Sequence, residues 1–87
     1  MKDQVLELLS TGTVCNGRQL AKYLDVNDGV IRRIINDLRC DGVPVCANRK
    51  GYYLTDDEDE IRKTIVSLER RINHIQNAVD GLKKVIP

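Results

Sequence analysis

The sequence predicts a mainly α fold with a small β component (α+β): three short helices and a β-hairpin within residues 1–55, then one long helix across residues 56–87. Three observations carry this. Apolar residues recur at helical spacing in three short runs, each closed by a breaker. After Gly42 the period shortens to two around a basic, glycine-containing turn. From Ile61 onward, apolar residues alternate spacings of four and three up to Ile86.

Val5, Leu6, Leu8 and Leu9 make an amphipathic helix over roughly residues 2–10, ended by Ser10-Thr11-Gly12. Thr13-Val14-Cys15 has room only for a β-bridge. Asn16 caps a second helix, Gly17 to Leu24, whose apolar face is Leu20, Ala21 and Leu24. Asp25-Val26 forms a tight turn, with Val26 as its buried apolar residue. Asn27 caps a third helix carrying Val30, Ile31, Ile34, Ile35 and Leu38, which Gly42 ends. Two helices joined by so short a turn make a helix-turn-helix.

Val43-Pro44-Val45-Cys46 and Tyr52-Tyr53-Leu54 read as strands around the turn Ala47-Asn48-Arg49-Lys50-Gly51, a hairpin with a basic tip. Thr55 with Glu58 three residues on reads as a capping box for the long helix. The acids through Glu60 then lie at the positive end of its dipole. In that helix Ile65, Ile72, Val79 and Ile86 fill the a positions of a heptad, and Ile61, Leu68, Ile75 and Leu82 fill d. Such a stripe, reaching on the order of 45 Å at 1.5 Å per residue, is too long to be covered by three short helices. It is expected to pair with a second copy as a coiled coil. Mixed Ile and Leu at d favours two strands over three or four, and the sequence leaves open whether they run parallel or antiparallel.

Composition narrows the function classes. Eighty-seven residues suffice for one modest core but not for an enzyme with a deep cleft. No nucleophile–base pair, paired acids, phosphate loop or metal-ligand cluster is present, so neither enzyme activity nor a cofactor, metal or small-molecule ligand is expected. The three cysteines form no C-x-x-C and the lone His74 is remote from them; reduced, half-buried thiols are expected. No apolar run is long enough to span a membrane, and Met1-Lys2-Asp3-Gln4 is not a signal peptide, which points to a cytoplasmic protein. The net charge of +1 is unevenly spread. Residues 1–55 hold eight Lys/Arg against six Asp/Glu (+2), and residues 56–87 hold six against seven (−1).

Four stretches, in order and at matching separations over about residues 2–55, resemble the winged helix-turn-helix domains of DeoR-type repressors and of the amino-terminal part of biotin-ligase repressors. They are Gln19 to Asn27, Val30 to Leu38, Gly42 to Val45, and Gly51 to Leu54. The long helix lies outside that pattern; a compact winged helix with a coiled-coil tail is similar to small bacterial and phage regulators. The resemblance implies a double-stranded DNA partner, with the third helix in the major groove. Two positions depart from it. Asp28-Gly29 stands where relatives carry larger polar or basic groups, and Ile34 stands where they carry Asp. Ile34 is left to pack under the wing, touch the long helix or meet a partner.

Residue chemistry supports the same partner. With Ile31, Ile35 and Leu38 facing the core, Asp28, Gly29, Arg32, Arg33 and Asn36 fall on the outer face of the third helix, and Val30 is grouped with them. Either arginine can read a guanine edge or clamp a phosphate, and Asp28 can accept from a cytosine amine. Asn16 and Asn27 stand at helix N-termini that favour phosphate, and Arg18 and Lys22 suit the DNA backbone. Asn48, Arg49 and Lys50 at the hairpin tip suit a minor groove or phosphates. The reading is a sequence-specific, dimeric regulator that represses by occupying DNA. The alternative, favoured by Asp28 and the weak net charge, is a winged-helix protein-interaction module that does not bind DNA.

Overall fold

A computed structural model describes all 87 residues. In chain order it has α1 (Lys2–Ser10), α2 (Gly17–Leu24), α3 (Asp28–Cys40), β1 (Val45–Asn48), β2 (Gly51–Leu54) and α4 (Glu58–Lys83). α1 packs on α3 and β2, α2 packs on α3, and α4 packs chiefly against β1. The molecule measures 52 × 32 × 24 Å, drawn out because most of α4 has nothing beside it.

The core is aliphatic. Val5, Leu9, Leu20, Ile31, Ile35, Leu38, Val45 and Cys46 are fully buried, and no buried side-chain nitrogen or oxygen lacks a partner. Each of α1, α2 and α3 supplies residues three or four apart, so one face of each helix meets the others. In so small a core, cutting Ile35 or Leu20 to Ala costs about 2–5 kcal/mol. Ile34 is buried in this same cluster, which places it in the core and leaves nothing of it for a partner. Val26 is half-buried against the cluster.

Helix ends follow side-chain chemistry. Asn16 Oδ1 accepts from Gln19 N–H at 2.7 Å while Gln19 Oε1 accepts from Asn16 N–H at 3.0 Å, a full capping box for α2. Asn16-x-x-Gln19 is the sequence signal of this box, beyond the Asn16 cap alone. α2 ends with Asp25 in the left-handed region (φ 55), whose neighbour Val26 donates back to Ala21 O at 2.9 Å. Asn27 Oδ1 caps α3 by accepting from Val30 N–H at 3.0 Å. The Lys2 ammonium pairs with Asp41, tying the start of α1 to the end of α3.

Three expectations need correction. The hairpin turn is two residues, Arg49-Lys50, because Asn48 Oδ1 accepts from Lys50 and Gly51 N–H (2.8 and 3.2 Å) and lets the strands pair up to Asn48↔Gly51. α4 starts at Glu58 with Asp57 as its cap, accepting from Asp59 N–H at 2.9 Å. Thr55 instead accepts from Asp57 N–H and donates to Glu60, so the expected Thr55–Glu58 box does not form. Finally, α4 closes at Lys83, and Ile86 lies beyond the helix.

Candidate nucleic-acid interface

The outer face of α3 is polar along its length. Asp28, Gly29, Arg32, Arg33 and Asn36 are all exposed, while Ile31, Ile34, Ile35 and Leu38 are buried on the other side. Val30 is half-buried against the core, so little of it is free for DNA. Cys40, one turn after Asn36, is exposed on the same face, and Asn36 Nδ2 donates to its sulfur at 3.8 Å. Cys15 and Cys46 are buried, so the expectation of three half-buried thiols fails at all three positions: two are inside and one is outside. All three are free thiols.

Arg18 and Lys22 are exposed on α2, and Arg49 and Lys50 form the hairpin turn. The two ion pairs in the structure, Lys2–Asp41 and Arg62–Glu58, use none of these residues, nor Arg32 or Arg33. Six cations thus keep their donors for a ligand. The asparagines are less free. Asn16, Asn27 and Asn48 each commit their side-chain oxygen to a cap or turn, leaving only the amide NH2 for an outside acceptor. Asp28 sits in the first turn of α3, where its charge favours the helix dipole.

The hairpin is held to the helices from two sides. Cys15 and Tyr52 form a two-bond antiparallel bridge, Cys15 N–H to Tyr52 O at 3.0 Å and Tyr52 N–H to Cys15 O at 2.7 Å. This bridge, expected from Thr13-Val14-Cys15, joins the hairpin to the residue before the α2 cap. On the other side Arg39, which the sequence reading did not single out, donates from Nε to Val45 O at 2.8 Å. The wing tip is therefore fixed relative to α2 and α3 by main-chain bonds and one arginine.

A second junction fixes α4. Tyr53 Oη donates to Glu60 Oε1 at 3.2 Å, Thr55 Oγ1 donates to Glu60 Oε2 at 2.9 Å, and Cys46 Sγ lies 3.8 Å from Glu60 O. Desolvation pushes the Tyr53 phenol above its ordinary value, and its bond to Glu60 adds to the rise. Beyond this junction the α4 stripe is bare. Ile61 and Leu68 are half-buried, but Ile65, Ile72, Ile75, Val79 and Leu82 are exposed, as is Ile86 past the helix end.

Three helices with a capped, polar-faced third helix, followed by a two-stranded hairpin with a basic tip, define a winged helix-turn-helix. Residues 2–53 match the model of a family described as an HTH domain, over more than half of the chain. The chain belongs to this family of helix-turn-helix DNA-binding domains. No curated protein and no solved structure matches it. No helix is long and apolar enough to cross a membrane.

Proposed function

We propose that this chain is a sequence-specific double-stranded DNA-binding protein, a transcriptional regulator that acts as a homodimer and represses by occupying its site. In this reading residues 1–55 bind DNA and residues 56–87 pair the copies. The observation that carries it is the exposed, unpaired Arg32 and Arg33 on the outer face of α3, together with the exposed, unpaired Arg49 and Lys50 of the wing tip. α3 enters the major groove, where one arginine reads a guanine and the other meets a base edge or phosphate. Arg18, Lys22 and the amide groups of Asn16 and Asn27 grip the backbone, and the wing tip lies along phosphates or the next minor groove. The α4 stripe supports the homodimer, since six of its eight members stay exposed in a single chain.

The experiment is selection from a random duplex pool, followed by affinities at several salt concentrations for wild type and for Arg32→Ala, Arg33→Ala and Lys50→Ala. A near-palindromic site is expected. Loss of the guanine-reading arginine should cost about 1–3 kcal/mol and relax preference at one base pair. Lys50→Ala should weaken binding to every sequence alike and reduce the salt slope by about one unit. If wild type binds no duplex even at low salt, the reading is wrong and the family fold serves protein interaction here.

A further inference from the structure

The base of α4 offers more apolar surface than one helix stripe supplies. Ile61, Ile65 and Leu68 line an open groove of about 380 Å³ together with Val43, Pro44 and Val45, from the segment leading into the wing. The far end of the chain is apolar in a matching way. Leu82, Val85 and Ile86 are 69%, 77% and 69% exposed. They follow from a closing turn in which Lys84 and Val85 N–H donate to Gly81 and Leu82 O at 3.2 and 3.1 Å. The stripe also broadens towards this end: Ala78 and Val85 occupy the positions that Thr64 and Arg71 hold nearer the base. A single chain therefore carries a wide groove at one end of α4 and a wide apolar tip at the other.

We propose that two copies pair α4 antiparallel, so that the tip of each fills the groove at the base of the other. This rests on the homodimer reading above and adds orientation and a docking surface to it. The register closes without remainder. Setting Ile65 against the partner's Leu82, Leu68 against the partner's Val79 and Ile72 against the partner's Ile75 pairs a with d throughout, because the four-three alternation reads the same from either end. Charge agrees with it. In this register the partner's Lys83 and the partner's Lys84 stand opposite residues 64 and 63, about one turn beyond Glu60, so each acidic start lies towards the partner's basic end, whereas parallel helices would bring two acidic starts together. Arg62 approaches the partner's Lys83, but Glu58 already holds Arg62 at 3.1 Å and offsets that contact.

The spacing also suits DNA. The wing meets α4 near Glu60 and Ile61, and the antiparallel register centres between Asn73 and His74. At about 1.5 Å per residue, two wings are then about 38 Å apart along the helix axis, close to the 34–36 Å between half-sites on one turn of DNA.

The test uses the full chain with Cys40→Ser, which removes the exposed thiol. Leu68→Cys and Val79→Cys chains are made separately and co-expressed, then oxidised and resolved by mass; light scattering gives the oligomer. A dimer that cross-links only between Leu68→Cys and Val79→Cys chains is the expected result. Pro44→Asp, on the groove rim but not on α4, should raise the dimer dissociation constant at least tenfold without changing the melting of the monomer fold. A dimer in which Leu68→Cys chains cross-link to each other is parallel and overturns the proposal while leaving the homodimer standing. An unchanged dissociation constant for Pro44→Asp overturns the groove filling, and a monomeric wild type overturns both readings.

Discussion

Gly51→Ala should cost more than its small size suggests, because the glycine is where the wing touches the helical body. Gly51 has φ +141, and a Cβ there would lie 2.4 Å from the carbonyl carbon and oxygen of Cys15 and 2.5 Å from the nitrogen of Asn16. All three atoms are backbone, so no side chain can swing aside. Relief requires the wing to move off Cys15, which breaks the two Cys15–Tyr52 bonds, each worth about 0.5–1.5 kcal/mol net. It also disturbs Asn16, whose cap contributes about 1 kcal/mol. With about 1–2 kcal/mol for the positive φ, the loss is about 3–6 kcal/mol. Gly12→Ala is the control: its φ is +83 but nothing lies within 4 Å of the new Cβ, so only the conformational cost, about 1–2 kcal/mol, applies. Urea unfolding followed by circular dichroism gives both values. If Gly51→Ala loses no more than Gly12→Ala, the close approach of wing and α2 cap is not what the glycine serves.

Ile72→Asp with Ile75→Asp should turn a dimer into a monomer in light scattering with the winged domain still folded, since both side chains are already about two-thirds exposed in one chain (62% and 64%); an unchanged mass would remove the coiled-coil reading. Alkylation of native protein by N-ethylmaleimide should add one group quickly, at Cys40, with Cys15 and Cys46 reacting only on unfolding; fast triple labelling would contradict their burial. Because the Tyr53 phenol titrates higher in the folded state, its stabilisation is full below the free phenol's range and is lost as pH rises through that of Tyr53. Tyr53→Phe should therefore flatten the alkaline fall in stability, and an unaltered alkaline limb would mean that the Tyr53–Glu60 contact does not form.

Much of this fold is legible because local signals and core spacing agree. Asn16, Asn27 and the glycines mark the ends of helices whose apolar faces are the ones buried. The misses lie where side chains compete for the same backbone groups. Thr55, Asp57 and Asp59 are all plausible helix starters in sequence; the tertiary bond from Thr55 to Glu60 turns Thr55 towards the wing junction and leaves the cap to Asp57. Asn48 was grouped with the basic tip, yet its oxygen organises the turn, because a short side chain acceptor two residues before a free N–H closes the chain on itself. Arg39 and Gln19 belong to neither an apolar period nor a basic cluster, so periodicity does not mark them, although both hold elements together.

The small net charge, which weighed against DNA in the sequence, measures the wrong quantity. What a phosphate backbone meets is charge left unpaired at the contacting surface. Among the acids before and within the first turn of α4, Glu58 is paired with Arg62, and Glu60 and Asp57, still charged, are turned to Tyr53, Thr55 and the helix start, all at the wing–α4 junction. Asp41 is matched by Lys2. By contrast Arg18, Lys22, Arg32, Arg33, Arg49 and Lys50 are all exposed and none belongs to an ion pair. Folding thus pairs Glu58 and Asp41 with cations while leaving the cations of α2, α3 and the wing out of any ion pair. Exposed Asp28 remains on the α3 face, and its closeness to the helix N-terminus tempers its repulsion of phosphate. Asp28→Asn should accordingly raise affinity for all duplexes if Asp28 faces phosphate, but lower it for the selected site alone if it reads a cytosine amine. Affinities for selected and scrambled duplexes separate the two, and equal affinity of variant and wild type for both would place Asp28 outside the interface.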